Sequence, residues 1–218
     1  EEGPARDGTR HVVAQLLARG EIPDYAIVGE ASSVEALGDR IMVGRRGSLG
    51  CNLQVHGRQG HVAYPHRADN PIHRLCAALA ELNGIEWDRG NAHFPPTSLQ
   101  VSNISGGTGA TNVIPGTAEA GFNFRYSTEC SADDLKARVT EVLNRHCPKH
   151  TADWWHSGEP FLTQDGALVA AAKEAIDEVT GLQPELSTAG GTSDARFIAP
   201  MGTQVVEIGP INASIHQI

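Results

Sequence analysis

The sequence predicts an α/β protein in which one α/β unit is interrupted by an inserted unit of βαββαβ order. Three observations carry this. A helical stripe and a short apolar run open the chain, β-type alternation then takes over with two helical segments between strands, and the helix–strand rhythm returns after Pro160. The expected division is residues 1–45 with 160–218 for the first unit and 46–159 for the insert.

Taken in order, Thr9 to Ala18 sets Val12, Val13, Leu16 and Leu17 at helical spacing, and Gly20 supplies a stop, which predicts an amphipathic helix. Tyr25-Ala26-Ile27-Val28 lies between Pro23-Asp24 and Gly29. A short apolar run so bounded reads as a buried strand of the parallel type. From Ile41 to Gly57 the residues Leu49, Cys51, Leu53 and Val55 alternate with polar ones, the period of a strand with one covered face.

Pro71 to Asn83 is helical through Ile72, Leu75, Leu79 and Leu82. Strands are expected over Ser98–Ile104 and Ala118–Tyr126, a helix over Asp133–Asn144 with Ser131 as its N-cap, and a closing strand over Thr151–His156. That order is the ferredoxin-like split unit. Beyond Pro160 come a helix over Gly166–Val179, a strand at Glu185–Ser187, the turn Gly190-Gly191-Thr192 and a strand at Gln204–Ile208.

Composition narrows the function classes. The 218 residues are 40% hydrophobic, enough for a core, and carry a formal charge of −9 without a basic run, which argues against nucleic-acid binding. No stretch approaches the roughly 18 apolar residues that cross a bilayer, so no membrane partner is expected. Cys51, Cys76, Cys130 and Cys147 lack the Cys-x-x-Cys spacing of a zinc or redox motif and read as thiols of a reducing compartment, the cytoplasm.

Several residues have side chains suited to metal binding or proton transfer. Glu30 follows a strand and a glycine, where open α/β sheets place functional groups; on its own, such a glutamate is more often a solvated loop carboxylate. Glu1 and Glu2 stand at the opening of the chain, at a turn preceding a helix, and His216 follows the last strand. As a set, mixed carboxylates and imidazole suit Zn²⁺ or a similar divalent ion. Adjacent carboxylates diverge in an extended or turn conformation, so one can ligate a metal while the other acts as a general base.

His61 and His66 flank Tyr64 in a glycine-hinged loop; they either carry function or merely decorate the start of the helix. Arg45, Arg125 and Asn112 have the donors to bind carboxylates. Gly106-Gly107-Thr108-Gly109 lacks the Gly-Lys-Ser/Thr ending of a phosphate loop and reads as a turn. A first residue already at a strand-to-helix turn predicts further chain upstream.

These residues stand in strings that resemble the M20 family of metal-dependent amidohydrolases and peptidases. The strings are Glu1-Glu2-Gly3-Pro4-Ala5, Val28-Gly29-Glu30, Gly44-Arg45-Arg46-Gly47-Ser48-Leu49, Gly60-His61-Val62-Ala63-Tyr64-Pro65-His66, Gly107-Thr108-Gly109-Ala110-Thr111-Asn112-Val113-Ile114-Pro115-Gly116, Gly190-Gly191-Thr192-Ser193-Asp194-Ala195-Arg196-Phe197 and Gly209-Pro210-Ile211-Asn212-Ala213-Ser214-Ile215-His216. They run in order along the whole chain.

The resemblance implies a zinc-peptidase-like α/β catalytic domain with an inserted lid through which two copies dimerise. It implies hydrolysis of the amide bond of N-succinyl-L,L-diaminopimelate to succinate and L,L-diaminopimelate, in bacterial lysine and diaminopimelate biosynthesis, with two Zn²⁺ per subunit and Co²⁺ able to substitute. Glu1 then resembles the general base, Glu2 and His216 the ligands of one zinc, Glu30 a ligand of the other, and His61 an oxyanion donor acting across the dimer. Arg45, Ser48, Asn112, Arg125, Thr192 and Asn212 would hold the substrate's carboxylate ends, with Tyr64 and Gly191 nearby.

The family also carries an upstream His-x-Asp strand end and a metal-bridging aspartate, which this sequence does not contain. By itself, the chain is therefore expected neither to hold two zinc ions nor to turn over. Two other readings remain at this stage: a deacetylase or aminoacylase of the same family, and a dimerising lid without activity.

Overall fold

The computed structural model describes residues 7–214, and among them the chain divides into two compact units, one of residues up to Gly47 and from Gly158, the other Ser48–Ser157.

The first unit is built on a four-stranded sheet. Its strands are β1 (Tyr25–Val28), β2 (Arg40–Met42), β11 (Glu185–Ser187) and β12 (Gln204–Glu207), in the order β1-β12-β2-β11. β1 runs parallel to β12 from Tyr25↔Gln204 to Val28↔Glu207, so both strands deliver their following loops to the same edge. β3 (Gly44–Arg45) and β10 (Phe161–Leu162) form a separate antiparallel ribbon. Helix α4 (Ala167–Thr180) presents Leu168, Val169 and Ala172 to Ile41, Val43 and Val206, and this cluster is the unit's core.

One expectation is corrected in this unit. Among the described residues β1 is not a buried strand: it lies at the edge of the sheet, with Tyr25 and Ile27 more than half exposed. Helix α1 (Thr9–Arg19) has the expected stripe but buries none of its residues. Its anchor is polar, a 2.7 Å bond from the Thr9 hydroxyl to Asp194, beside the short helix α5 (Ala195–Ile198). An apolar period records which side chains are suited to burial, but the neighbouring surface decides whether they are buried.

The second unit has the predicted element order. β4 (Gly47–His56), β6 (Ser98–Gly106), β8 (Thr117–Tyr126) and β9 (His150–Gly158) make a sheet in the order β6-β8-β4-β9, packed against α2 (Pro71–Asn83) and α3 (Ala132–His146). Leu49, Cys51, Leu53 and Val55 of β4 and Ala118, Ala120, Phe122, Phe124 and Tyr126 of β8 all face the helices. The rings of Trp87 and Phe124 meet edge-on at 4.7 Å. Both helices start on side-chain caps: Asn70 accepts from the Ile72 amide ahead of Pro71, and Ser131 accepts from the Asp134 amide.

A ribbon not foreseen in the sequence, β5 (Gly60–His61) with β7 (Val113–Ile114), pairs His61 with Val113. Cys51 and Cys147 are buried, Cys130 is half-buried and Cys76 exposed, all as free thiols. No helix among the described residues is long and apolar enough to cross a membrane.

The stretch between α2 and β6 is held by Asp88. Its Oδ1 accepts the amides of Gly90 (2.7 Å) and Thr97 (3.0 Å), and its Oδ2 accepts the Ser127 hydroxyl (3.0 Å) and the Cys130 thiol (3.3 Å). Burial works against the charge, but hydrogen bonds from Thr97, Gly90 and Cys130 outweigh it and hold the carboxyl at about 2. Burial first, then the Asp88 bond and charge, push the Cys130 thiol up to about 11. A depressed carboxylate contributes its stability above the unfolded value near 3.8 and loses it as pH falls toward about 2. Asp88→Ala is expected to cost about 1–3 kcal/mol at neutral pH, read by denaturant unfolding. The gap to wild type should stay constant above about pH 4 and narrow between there and about pH 2.

Candidate active site

At the carboxyl ends of β1 and β12 the backbone forms a short zipper. The Ser33 amide donates to the Pro210 carbonyl (3.2 Å), the Ser33 hydroxyl to the Gly209 carbonyl (2.6 Å), the Gly209 amide to the Ser32 hydroxyl (3.0 Å), and the Asn212 amide to the Ser33 carbonyl (2.9 Å). Glu30, half-buried, opens the loop on the β1 side. Gly209 faces it so closely that a Cβ there would lie 2.2 Å from the Glu30 carbonyl oxygen. The loop carrying Glu30 and the segment carrying Asn212, which precedes His216 in the sequence, are therefore fixed together.

Glu1, Glu2 and His216 lie outside the described residues. Among the described residues, no three His, Cys, Asp or Glu side chains converge as a metal site. The donor chemistry of Glu2, Glu30 and His216, carboxylates with an imidazole, fits Zn²⁺.

Arg45 is 7% exposed and faces inward. Its Nε donates to Glu207 Oε2 at 2.9 Å, Nη2 donates to the same oxygen, and Nη1 donates to the Ala189 carbonyl at 2.8 Å. Glu207 is 1% exposed, and its Oε1 accepts the Ser193 hydroxyl. Gly191, exposed, and Thr192, half-buried, lie on the loop between these attachments. Sequence reasoning passed over Glu207. The available signal was a carboxylate in an otherwise apolar strand, which must find a partner when buried.

In the second unit the expected residues fall into two groups. Ser48 is 2% exposed and its hydroxyl accepts from Asn123 Nδ2 at 3.3 Å. Asn123 and Arg125 alternate with the buried Phe122 and Phe124, so they share the helix-free face of the sheet. Asn123 had not been singled out, though that alternation marks it.

The other group is His61, Tyr64 and Asn112. His61 sits in the small ribbon, the Asn112 carbonyl accepts the Val62 amide at 3.0 Å, and the Tyr64 ring lies 5.8 Å from the imidazole. Tyr64 is 52% exposed, and His61 and Asn112 are also exposed. The Ala63 amide donates to His61 Nδ1 at 3.1 Å. An Nδ1 that accepts leaves the proton of the neutral ring on Nε2, so the outer edge of the imidazole is a hydrogen-bond donor.

An α/β unit with a carboxylate at a strand end is thus interrupted by a sheet-and-helix unit. Residues 43–151, half of the chain, match the profile of the M20 peptidase dimerisation domain, and the chain belongs to that family.

All 218 residues align at 61% identity with the succinyl-diaminopimelate desuccinylase of Alkalilimnicola ehrlichii and at 62% with that of Thioalkalivibrio sulfidiphilus. The chain spans 58% of the length of each. Among solved structures, a tripeptidase from Staphylococcus aureus superposes with a TM-score of 0.74 at 19% identity, over 90% of this chain and 51% of that one. An M20 family metallo-carboxypeptidase from Sulfolobus solfataricus gives 0.72 at 15% identity, over 91% and 60%. At such identities these two likenesses establish the fold.

The zipper makes a sharp prediction. Gly209→Ala must push the Glu30 loop away and is expected to destabilise the protein by roughly 1–3 kcal/mol in denaturant unfolding. Gly29→Ala, one residue before Glu30, meets nothing within 4 Å and is expected to be near neutral.

Proposed function

We propose that this chain carries residues of an amidohydrolase that cleaves N-succinyl-L,L-diaminopimelate into succinate and L,L-diaminopimelate. The observation that carries this reading is the 58–62% identity, across the chain, to relatives named succinyl-diaminopimelate desuccinylases. In this reading Glu2 and His216 hold one Zn²⁺ and Glu30 contributes to a second, with Co²⁺ as a substitute. When bound, such ions act as Lewis acids on the amide carbonyl and bring the pKa of water to about 7.

The chain's own residues supply the rest. Glu1 takes the proton of the attacking water and returns it to the leaving amine. His61 donates Nε2–H to the oxygen on which negative charge develops. Its Nδ1 bond to the Ala63 amide supports that role, because it fixes the tautomer. In this reading Ser48, Asn112, Arg125, Thr192 and Asn212 hold the substrate's carboxylate ends, with Tyr64 and Gly191 nearby.

The second unit is the place of homodimerisation in this reading. β6 is an edge strand with Val101 and Ile104 exposed, the kind of edge that a second copy covers. The biosynthetic reaction belongs in the bacterial cytoplasm.

Two measurements on the full-length protein test the proposal. A site that pairs the succinyl carboxylate should prefer the N-succinyl amide over the N-acetyl amide by at least ~100-fold in kcat/KM, and equal rates would point to another acyl group. His61→Ala should lose roughly 100- to 1000-fold in kcat with its metal content unchanged; loss of metal would make His61 a ligand instead.

A further inference from the structure

We propose that Arg45 and Glu207 are positioning residues that act as one unit through the loop 188–193. The inference rests on the reading of Gly191 and Thr192 as substrate-binding residues.

Three of Arg45's N–H groups are already engaged, two on Glu207 and one on the Ala189 carbonyl. Both carboxylate oxygens of Glu207 are also used, one by the guanidinium and the other by the Ser193 hydroxyl. The loop is thus tied at Ala189 by Arg45 and at Ser193 by Glu207, and the two ties are coupled through the ion pair. Between them stand Gly190 and Gly191, which have no side chains with which to hold a conformation of their own.

Gly190 is in the left-handed region at φ 87°, and a Cβ there would come within 2.6 Å of Arg45 Nη1, so the backbone lies directly on the guanidinium. Glu207 stands on the strand whose continuation, Gly209, packs against Glu30. One strand end therefore sets the place of the 188–193 loop as well as that of the Glu30 loop. A loop that must present Gly191 and Thr192 to a ligand needs such an anchor, since small misplacements of binding groups cost up to about 100-fold.

The test uses full-length protein with Arg45→Gln, Glu207→Gln, the double variant and Ser193→Ala. Amides 189–193 should exchange with solvent at least ~10-fold faster in Glu207→Gln and Ser193→Ala than in wild type. KM for the N-succinyl substrate should rise roughly 10- to 100-fold in either single variant at the pair, with kcat changed far less, and the double variant should be no worse than either. The preference for N-succinyl over N-acetyl amide should survive in Glu207→Gln and Ser193→Ala.

Additive losses in the double variant would overturn the proposal by showing that Arg45 and Glu207 act separately. Unchanged exchange in both Glu207→Gln and Ser193→Ala would overturn the tether itself. If wild type does not cleave the N-succinyl amide, the functional reading fails, while the exchange rates still decide whether the pair holds the loop. Should Glu207→Gln not fold, Ser193→Ala, which removes only one tie, decides through the same exchange and KM readouts.

Discussion

The first unit depends on the place where Gly209 meets the backbone of Glu30. Parallel pairing of β1 with β12 brings the two strand ends level, and only a residue without a Cβ lets the following segments close to hydrogen-bonding distance. Because β12 also carries Glu207, the same strand is the common reference for the Glu30 loop and, through Arg45 and Ser193, for the glycine-rich loop. Functional groups at the carboxyl ends of strands are usual in open α/β sheets. Here the four hydrogen bonds of the zipper and one buried ion pair take part in fixing them.

The buried pair also has an energetic logic. A carboxylate at 1% exposure and a guanidinium at 7% would each be costly alone, and their mutual bonds with the Ser193 hydroxyl and the Ala189 carbonyl supply the compensation. Such an arrangement is poor as a source of stability and good as a locator, because only one geometry satisfies every donor and acceptor. The second unit uses the opposite strategy. A sheet face of Leu, Val and Phe side chains packs on two capped helices, leaving the helix-free face and the His61 ribbon to carry polar groups.

Local pattern was enough for the long strands and helices of the second unit, though not for the β5–β7 ribbon. Period-two alternation in β4 and β8, Pro71 behind Asn70 and Ser131 before α3 each state a local preference that the tertiary structure does not oppose. The same reading misjudged β1, because the apolar character of Tyr25 and Ile27 says nothing about what covers them, and among the described residues these side chains stand open. Arg45 was legible as a carboxylate binder but not as the partner of Glu207, which lies 162 residues away. His61 stood out by its glycine-hinged loop, yet its donor edge depends on the Ala63 amide and could be read only from coordinates.

The central claim is that Glu30, locked to the segment beyond β12, belongs to the metal-holding end of a hydrolytic site. Metal analysis of the full-length protein beside its Glu30→Gln variant tests this most directly. The account predicts that the variant, folded and with its dimer intact, loses one of the two metal ions per subunit and retains the other. A variant with the full metal content of wild type would contradict it.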